Sequence, residues 1–533
     1  MPGSRRTWLG ALLDRTFTWM NSLPVESCSY TVESFRIPVD KNLELTADLY
    51  QTLSPKPKGT LLVRTPYGLG IAAALGTGRF FAAQGYHVLM NACRGTSGSD
   101  GQVAAGTDDV ADGQAVVAWM RKQHGEPKDM KAAAIFTGPD SMQGFLWSTG
   151  AMQSHIIIWA DLMPRMTRGD GMLLLMWYMR SMMETLQPVF DSVPLVDGVS
   201  KYLGEKSMPE WLHKALTVPN DSWPGYEPPP TAGVLEKANI PILQVTGWYD
   251  SIFAVIMHQY YRLLERGVTV RLVIGPWTHL GAQGRNVSAE TLPWVEEHLA
   301  GGRPDPKPAV RYFLTGKEEW REVDKWPPVP RSRQQYFLDT NDRLSLSAGS
   351  NDRAESSFMF DPANPTPSTG SPQAFAAKKG RTDENNTLIA RSDVISFTSP
   401  PLTTDIEVMG QSIVTIHHST DNPHADLRII LSEVDSKTGI SRQVSEYYRR
   451  LDPKRSQTEP LNVSLHDIAH VFRKGNRIRL SVAGGSHPKY IRNIGSRENP
   501  GSGTTLRSVT HTVKHHTSAV SVLFLPVTSG VDM

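Results

Sequence analysis

A repeating order of short apolar runs and helical patterns constrains this chain more than any other feature. It runs through residues 59–150 and returns after residue 242. Residues 60–63, 86–90 and 132–136 read as buried strands, as do 242–245 and 268–274, with a helix predicted over 253–265. Thr107 is a suitable N-cap, with Asp108 and Asp109 in the first turn, for a helix running through Met120. Parallel strands need crossovers long enough to hold a helix, so this order predicts an α/β fold with a parallel sheet.

The two α/β blocks are separated by a region of different character. Eight of the 19 methionines fall between Met152 and Met183, beside Trp159, Trp177 and Tyr178, with helical spacing and no alternating strands. This predicts a helical insertion over the sheet. From Pro304 onward the pattern changes again, to β-like runs at 310–314, 335–338, 412–417, 427–431, 478–482 and 520–525. Short strands at that density predict an antiparallel sandwich or jelly roll. Residues 364–386, rich in Pro, Ser, Gly and Lys, read as a mobile loop. The expected division is a core over 27–152 and 236–303, a cap over 153–235, and a sandwich over 304–533. A length of 533 residues accommodates this, at ~150 residues per domain.

Composition excludes several function classes. Fifty-five Lys and Arg against 53 Asp and Glu leave a net charge of +2, with no footprint for nucleic acid. Cys28 and Cys93 cannot form a disulfide framework, and no Cys/His spacing marks zinc. There is no H-E-x-x-H, no Walker lysine after the Gly-rich 68–78 stretch, and no G-x-G-x-x-G opening a helix after the first strand. His511, His515 and His516 read as surface or sheet histidines rather than ligands, so neither metal nor cofactor is expected. The pattern Trp8, Leu12, Leu13, Phe17 and Met20 predicts an amphipathic helix packed on the domain surface. No secretory leader is evident, and the longest apolar run, 172–179, is far short of the ~20 residues of a bilayer span. A soluble, cytoplasmic protein without stable membrane insertion is expected.

Three turns carry the chemistry. Gly138-Pro139-Asp140-Ser141-Met142-Gln143-Gly144 follows the 132–136 strand. A serine at such a strand-to-helix turn has its hydroxyl lifted above the sheet, near the N–H groups that open the helix. Gly247-Trp248-Tyr249-Asp250 places Asp250 past the next predicted strand, and Gly275-Pro276-Trp277-Thr278-His279 places His279 past the last. Each residue alone is an ordinary turn residue. Ser, Asp and His in that chain order, each just past a strand, form the α/β-hydrolase arrangement.

The chain resembles the serine hydrolases that include cocaine esterase, X-prolyl dipeptidyl aminopeptidases and α-amino-acid ester hydrolases. The likeness extends over about residues 30–527. It rests on Arg64-Thr65-Pro66-Tyr67, Arg94-Gly95-Thr96-Ser97-Gly98-Ser99, Asp112-Gly113 with Trp119, and the Asp250 and His279 turns. In the C-terminal part it rests on His470-Val471-Phe472, Gly475 to Leu480, Ser486-His487-Pro488 and Arg492-Asn493. The resemblance implies an α/β-hydrolase core with an inserted helical cap and a C-terminal jelly-roll sandwich. It also implies a Ser141, Asp250, His279 triad, and an oxyanion hole from the Met142 backbone N–H and the Tyr67 hydroxyl. The chain departs from the family at Pro139, where Gly is usual, at Met142, where Tyr is usual, and at Ala92, where Asp is common.

The implied activity is cleavage of an ester or amide of a hydrophobic acyl group through an acyl-enzyme. Trp177, Trp248 and Phe253 are candidate pocket residues. Met172, Met176, Met179 and Met183 recur at helical spacing, as core or as an adaptable acyl pocket. An acidic pair to hold a free α-amine is not evident, which disfavours aminopeptidase activity. Two other roles fit the same fold: an acyltransferase or cyclase of small-molecule biosynthesis, and a binding homologue without turnover. The expected partner is a small acyl substrate, and the resemblance leaves a homodimer open.

Overall fold

The computed structural model describes residues 3–529 except 104–108, 125–129, 141, 169–171, 206, 219–233, 284, 302–307, 350–353, 370–382 and 385. The α/β rhythm is realised as two five-stranded sheets. In the first, Tyr30–Asp40, Leu43–Thr52 and His87–Ala92 pair antiparallel, and Thr60–Thr65 lies parallel beside His87–Ala92. In the second, Ala133–Phe136, Ile242–Tyr249 and Val270–Thr278 are parallel neighbours. The first six residues of Ile242–Tyr249 are all buried, as expected for a parallel strand covered on both faces.

The helix Arg285–His298 links the sheets. Trp294 packs on the second sheet and donates its Nε1–H to the Ala133 carbonyl at 3.0 Å, while Leu292 and Val295 join the apolar cluster of the first. Neighbouring helix positions differ by about 100°, so one helix can serve both sheets.

Two strands past the expected boundary at 304 hydrogen-bond back to the core. Val310–Leu314 pairs parallel with Val270–Thr278, and Glu319–Val323 pairs antiparallel with Val310–Leu314, so both extend the second core sheet. Burial alternates along Val310–Leu314, and a half-covered core strand has the same period of two as a sandwich strand. The helix that follows the Ser141 turn is short, Met142–Trp147. It stops where Gly150, at φ +75°, returns its N–H to the Trp147 carbonyl. Most of the predicted 364–386 loop lies outside the described residues.

The cap contains His155–Arg168, Met172–Phe190, Leu195–Leu203 and Glu210–Thr217. On Met172–Phe190, the buried positions Tyr178, Met182, Leu186 and Val189 recur every three or four residues and pack against Ile156, Met163 and Leu212. Among the described residues from Ser332 onward, twelve strands form one hydrogen-bonded network. Its alternating residues, among them Val414, Ile416, Leu427, Ile429, Leu480, Val482, Leu523 and Leu525, enclose the largest apolar core.

The sandwich grips both other parts. Thr315 of the core exchanges backbone bonds with Ala469 and Val471. Asp467 accepts from Tyr261 at 2.6 Å, Trp326 at 2.9 Å and Gln411 at 3.0 Å. The Ile491 N–H reaches the Met152 carbonyl at 2.9 Å, and the Ser154 N–H reaches that of Lys489 at 3.0 Å. Behind this seam, Glu446 is buried between Lys489 and Arg428, both also buried. Burial pushes the Glu446 carboxyl up, but the two cations hold it well below the carboxylate range.

Glu446→Leu would leave two buried cations with their central carboxylate removed. A loss of about 3–5 kcal/mol is expected, read as a lower urea midpoint at unchanged slope. A group with a depressed folded pKa contributes above its unfolded pKa, ~4.3 for Glu, and loses that contribution as pH falls through the folded value. The gap between wild type and variant should therefore be full at pH 7 and narrow in strong acid. Equal midpoints at pH 7 would contradict this account.

Candidate active site

The Asp250 and His279 turns sit at the carboxyl ends of adjacent parallel strands, and two glycines bring them together. In the ladder, Gly247 pairs with Gly275, then the register shifts so that Tyr249 pairs with Thr278. Trp277 fills the irregularity. A Cβ on Gly247 would lie 2.1 Å from the Trp277 carbonyl oxygen, and one on Gly275 would lie 2.3 Å from its ring. Such shifts at strand ends re-aim the side chains that follow.

The result is a buried dyad. His279 Nδ1 lies 3.1 Å from Asp250 Oδ1, with His279 8% and Asp250 2% exposed. The same Oδ1 accepts the Ile252 N–H at 3.0 Å, while Oδ2 is buried without a hydrogen-bond partner among the described residues. Burial disfavours the imidazolium, but the charge and hydrogen bond of Asp250 outweigh it, so His279 is held above the ordinary imidazole range. A carboxylate fixed on Nδ1 orients the ring and stabilises the imidazolium, as a general base requires.

Ser141 lies outside the described residues, but the turn leading to it is well anchored. Gln259, on the helix Phe253–Glu265, donates to the Gly138 carbonyl at 3.2 Å and to Asp140 at 3.1 Å. Arg262, one turn along, pairs with Asp140 at 2.9 Å. Thr137 adopts φ +46°, unusual for a β-branched residue, and its hydroxyl accepts from Gln283 at 3.3 Å. Pro139 therefore sits between two residues whose polar groups are held by one helix. Met142 opens the helix Met142–Trp147.

Tyr67 follows the strand Thr60–Thr65 and packs against the cap cluster. Burial pushes its hydroxyl up to about 12; hydrogen bonds with Trp159 and Gln283 act in the opposite sense, and the nearby Asp250 charge reinforces the rise. It is therefore a neutral donor at physiological pH. The Trp248 and Phe253 rings pack at a tilt of 57° with centroids 5.1 Å apart and line a cleft shared with Asp250, Glu433, Glu446, Asp467 and Lys489 of the core and sandwich. Glu446 pairs with Lys489, Glu433 with His470, and Asp467 accepts from Tyr261 and Trp326.

The third pocket candidate is corrected. Trp177 is 69% exposed, because Tyr178, Met182 and Leu186 form the inward face of its helix and Trp177 points away from them. Of the methionine stripe, Met183 packs against the cap cluster, and the side chains of Met172, Met176 and Met179 lie outside the described residues.

Sequence reasoning missed His155 and Lys489. His155 begins the first cap helix, is buried, and is pushed down to about 3 by burial and by the charges of Lys489 and His279. It adds a neutral ring near the dyad. No local pattern marks it, since its neighbours are assembled from the cap, core and sandwich. His511 is a buried residue of the strand Val509–Lys514, His515 is buried just past its end, and no group of three His, Cys, Asp or Glu residues among those described is placed to hold a metal ion.

Comparison with known proteins gives a consistent result. Residues 41–151 and 124–281 match the X-Pro dipeptidyl-peptidase (S15 family), and residues 303–521 match the X-Pro dipeptidyl-peptidase C-terminal non-catalytic domain. The chain is 23% identical over 536 residues to cocaine esterase of Rhodococcus sp. (strain MB1 Bresler), spanning 87% of this chain and 92% of the esterase. It is 23% identical over 294 residues to a putative serine esterase of Mycobacterium bovis, spanning 47% of this chain and 46% of that protein. An aminopeptidase from a marine sediment Thaumarchaeota archaeon superposes with a TM-score of 0.74 at 19% identity, covering 95% of this chain and 98% of the other. An α-amino acid ester hydrolase superposes at 0.73 and 18%, with the same coverage.

Proposed function

The chain belongs to the cocaine esterase and X-Pro dipeptidyl-peptidase-like family of α/β-hydrolases and is a serine hydrolase, and on that basis we propose that it cleaves an uncharged ester or amide of an apolar acyl group through an acyl-enzyme on Ser141. The observation that carries this reading is the buried Asp250–His279 hydrogen bond at the carboxyl ends of adjacent parallel strands, beside the anchored 137–140 turn.

In this mechanism Ser141 Oγ attacks the acyl carbonyl as His279 Nε2 takes its proton. Asp250 keeps the proton on Nδ1 and stabilises the imidazolium, and the tetrahedral oxyanion is held by the Met142 N–H and the Tyr67 hydroxyl. His279 then protonates the leaving group, and water repeats the sequence to free the acid. The apolar cap cluster of Phe145, Ile156, Met163 and Tyr178, against which Tyr67 packs, favours an apolar acyl chain. The carboxylates of the Trp248 cleft are already engaged by Lys489, His470, Tyr261 and Trp326, which favours an uncharged substrate over a free peptide amine.

The test is stopped-flow turnover of p-nitrophenyl butyrate. A burst of p-nitrophenol matching the enzyme concentration is expected, followed by slower steady release; turnover with no acyl-enzyme detectable after acid quenching would sink the proposal. Tyr67→Phe should lower kcat and kcat/KM together by about 10²–10³, because its donor acts in the transition state. An increase confined to KM would instead make Tyr67 a ground-state contact.

A further inference from the structure

The helix Trp8–Met20 is attached to the body by its polar side. Its buried residues are Gly10 and Asp14. Asp14 pairs with Arg6 at 2.9 Å and Arg79 at 2.7 Å and accepts the Tyr30 hydroxyl at 2.8 Å, while Arg79 also donates to the Gly10 carbonyl at 2.9 Å. The expected packing of its apolar stripe is therefore reversed. Trp8 is 74% exposed and Trp19 81%, and Leu9, Leu12, Leu13 and Met20 are exposed between and beside them. At about 100° per residue these positions span an arc of roughly 140° along a helix about 20 Å long.

The buried ionic contacts fix this orientation, since turning the apolar face inward would strip Asp14 of both arginines and of Tyr30. A continuous apolar face held outward in this way indicates a binding surface. Its charge identifies the occupant. Over residues 3–26 there are three arginines against Asp14 and Glu26, three minus two, or +1, and Arg79 beside Asp14 raises the local balance to +2. Asp14 is buried, and Glu26 is largely covered by its pairs with Arg6 and Arg15; Arg5 is exposed, and Arg15 stays exposed although Glu26 holds it at 2.7 Å. A second copy of the chain would bring the same basic edge against itself, whereas an anionic lipid surface complements it. Tryptophans in the first and last turns also suit the depth of lipid headgroups.

We propose that the helix Trp8–Met20 is an interfacial anchor that lays its Trp8, Leu9, Leu12, Leu13, Trp19 and Met20 face into an anionic lipid monolayer without crossing it. None of the described helices is long and apolar enough to span a bilayer. The anchor is separate from the Asp250–His279 site, so this proposal stands independently of the acyl-enzyme reading.

The full-length protein should be floated with vesicles of phosphatidylcholine alone and of phosphatidylcholine with 30% phosphatidylglycerol. Recovery with the anionic vesicles is expected, decreasing as salt is raised. Trp8→Ser combined with Trp19→Ser should lower the bound fraction at least tenfold, with turnover of a soluble ester unchanged. Arg5→Glu should weaken binding to the anionic vesicles, which also separates charge recognition from any folding defect of the double variant. Wild type that stays with the soluble fraction on both vesicle types would overturn the proposal. So would sedimentation of wild type as a dimer that the double substitution converts to monomer, since the face would then be covered by a second copy.

Discussion

Ser141→Ala is expected to reduce kcat on an apolar ester on the order of 10⁶-fold while substrate binding is retained. The substitution removes only the Oγ atom. The turn that presents it is held through Gly138 and Asp140 by Gln259 and Arg262, not through the serine, so its geometry should persist. Substrate would still bind under the cap, and the oxyanion donors alone should retain a residual ~10³–10⁴-fold advantage over water. A loss of less than tenfold would mean that the nucleophile lies elsewhere.

Asp250→Asn should lower kcat about 10⁴-fold and also move the pH profile. In the wild type, burial pushes His279 down, and Asp250 more than compensates, leaving the imidazole above its ordinary range. The working base is neutral His279, so the acid limb of kcat/KM should lie above ~6.5. Asparagine removes the charge and leaves the burial. The acid limb of the variant should then shift below that of the wild type, even though the remaining rate is small. A limb that stays in place, or moves upward, would show that Asp250 does not act on the base.

These two experiments probe residues that differ in how far their setting can be read from the chain. The strand runs at 132–136, 242–245 and 268–274 were legible because each is a short, mainly apolar stretch with turn residues following at once; burial is complete along the first six residues of Ile242–Tyr249 and partial along Ala133–Phe136. The helix Phe253–Glu265 was legible in full, with seven buried positions at helical spacing. Asp250 and His279 could be marked as partners because each falls just past a strand, and strand order then makes them neighbours. The register shift that aims one at the other was not legible, because it depends on Trp277 packing over Gly247 and Gly275 across two strands.

Other features were beyond local pattern for related reasons. Val310–Leu314 has the alternation of any half-covered strand, so its sequence does not specify which sheet it joins. Trp177 and Tyr178 are adjacent in a helix whose residues are apolar on several sides; only the packing of Tyr178 on Asp161 and the cap core turns Trp177 outward. The apolar stripe of Trp8–Met20 was visible, but its direction depends on Arg79 and Tyr30, distant residues that hold Asp14. His155 and Lys489 meet only through the joining of cap and sandwich at Ser154. Periodicity reports which side of an element is apolar, whereas a partner's position decides which side faces inward.

The most direct test of the central claim is reaction with a fluorophosphonate, followed by intact mass measurement and peptide mapping. The account predicts one phosphonyl group per chain, located on Ser141, with a labelling rate that falls as pH drops through the His279 titration, and no labelling of Ser141→Ala. A modification mapped to any other residue, or equal labelling of the alanine variant, would contradict it.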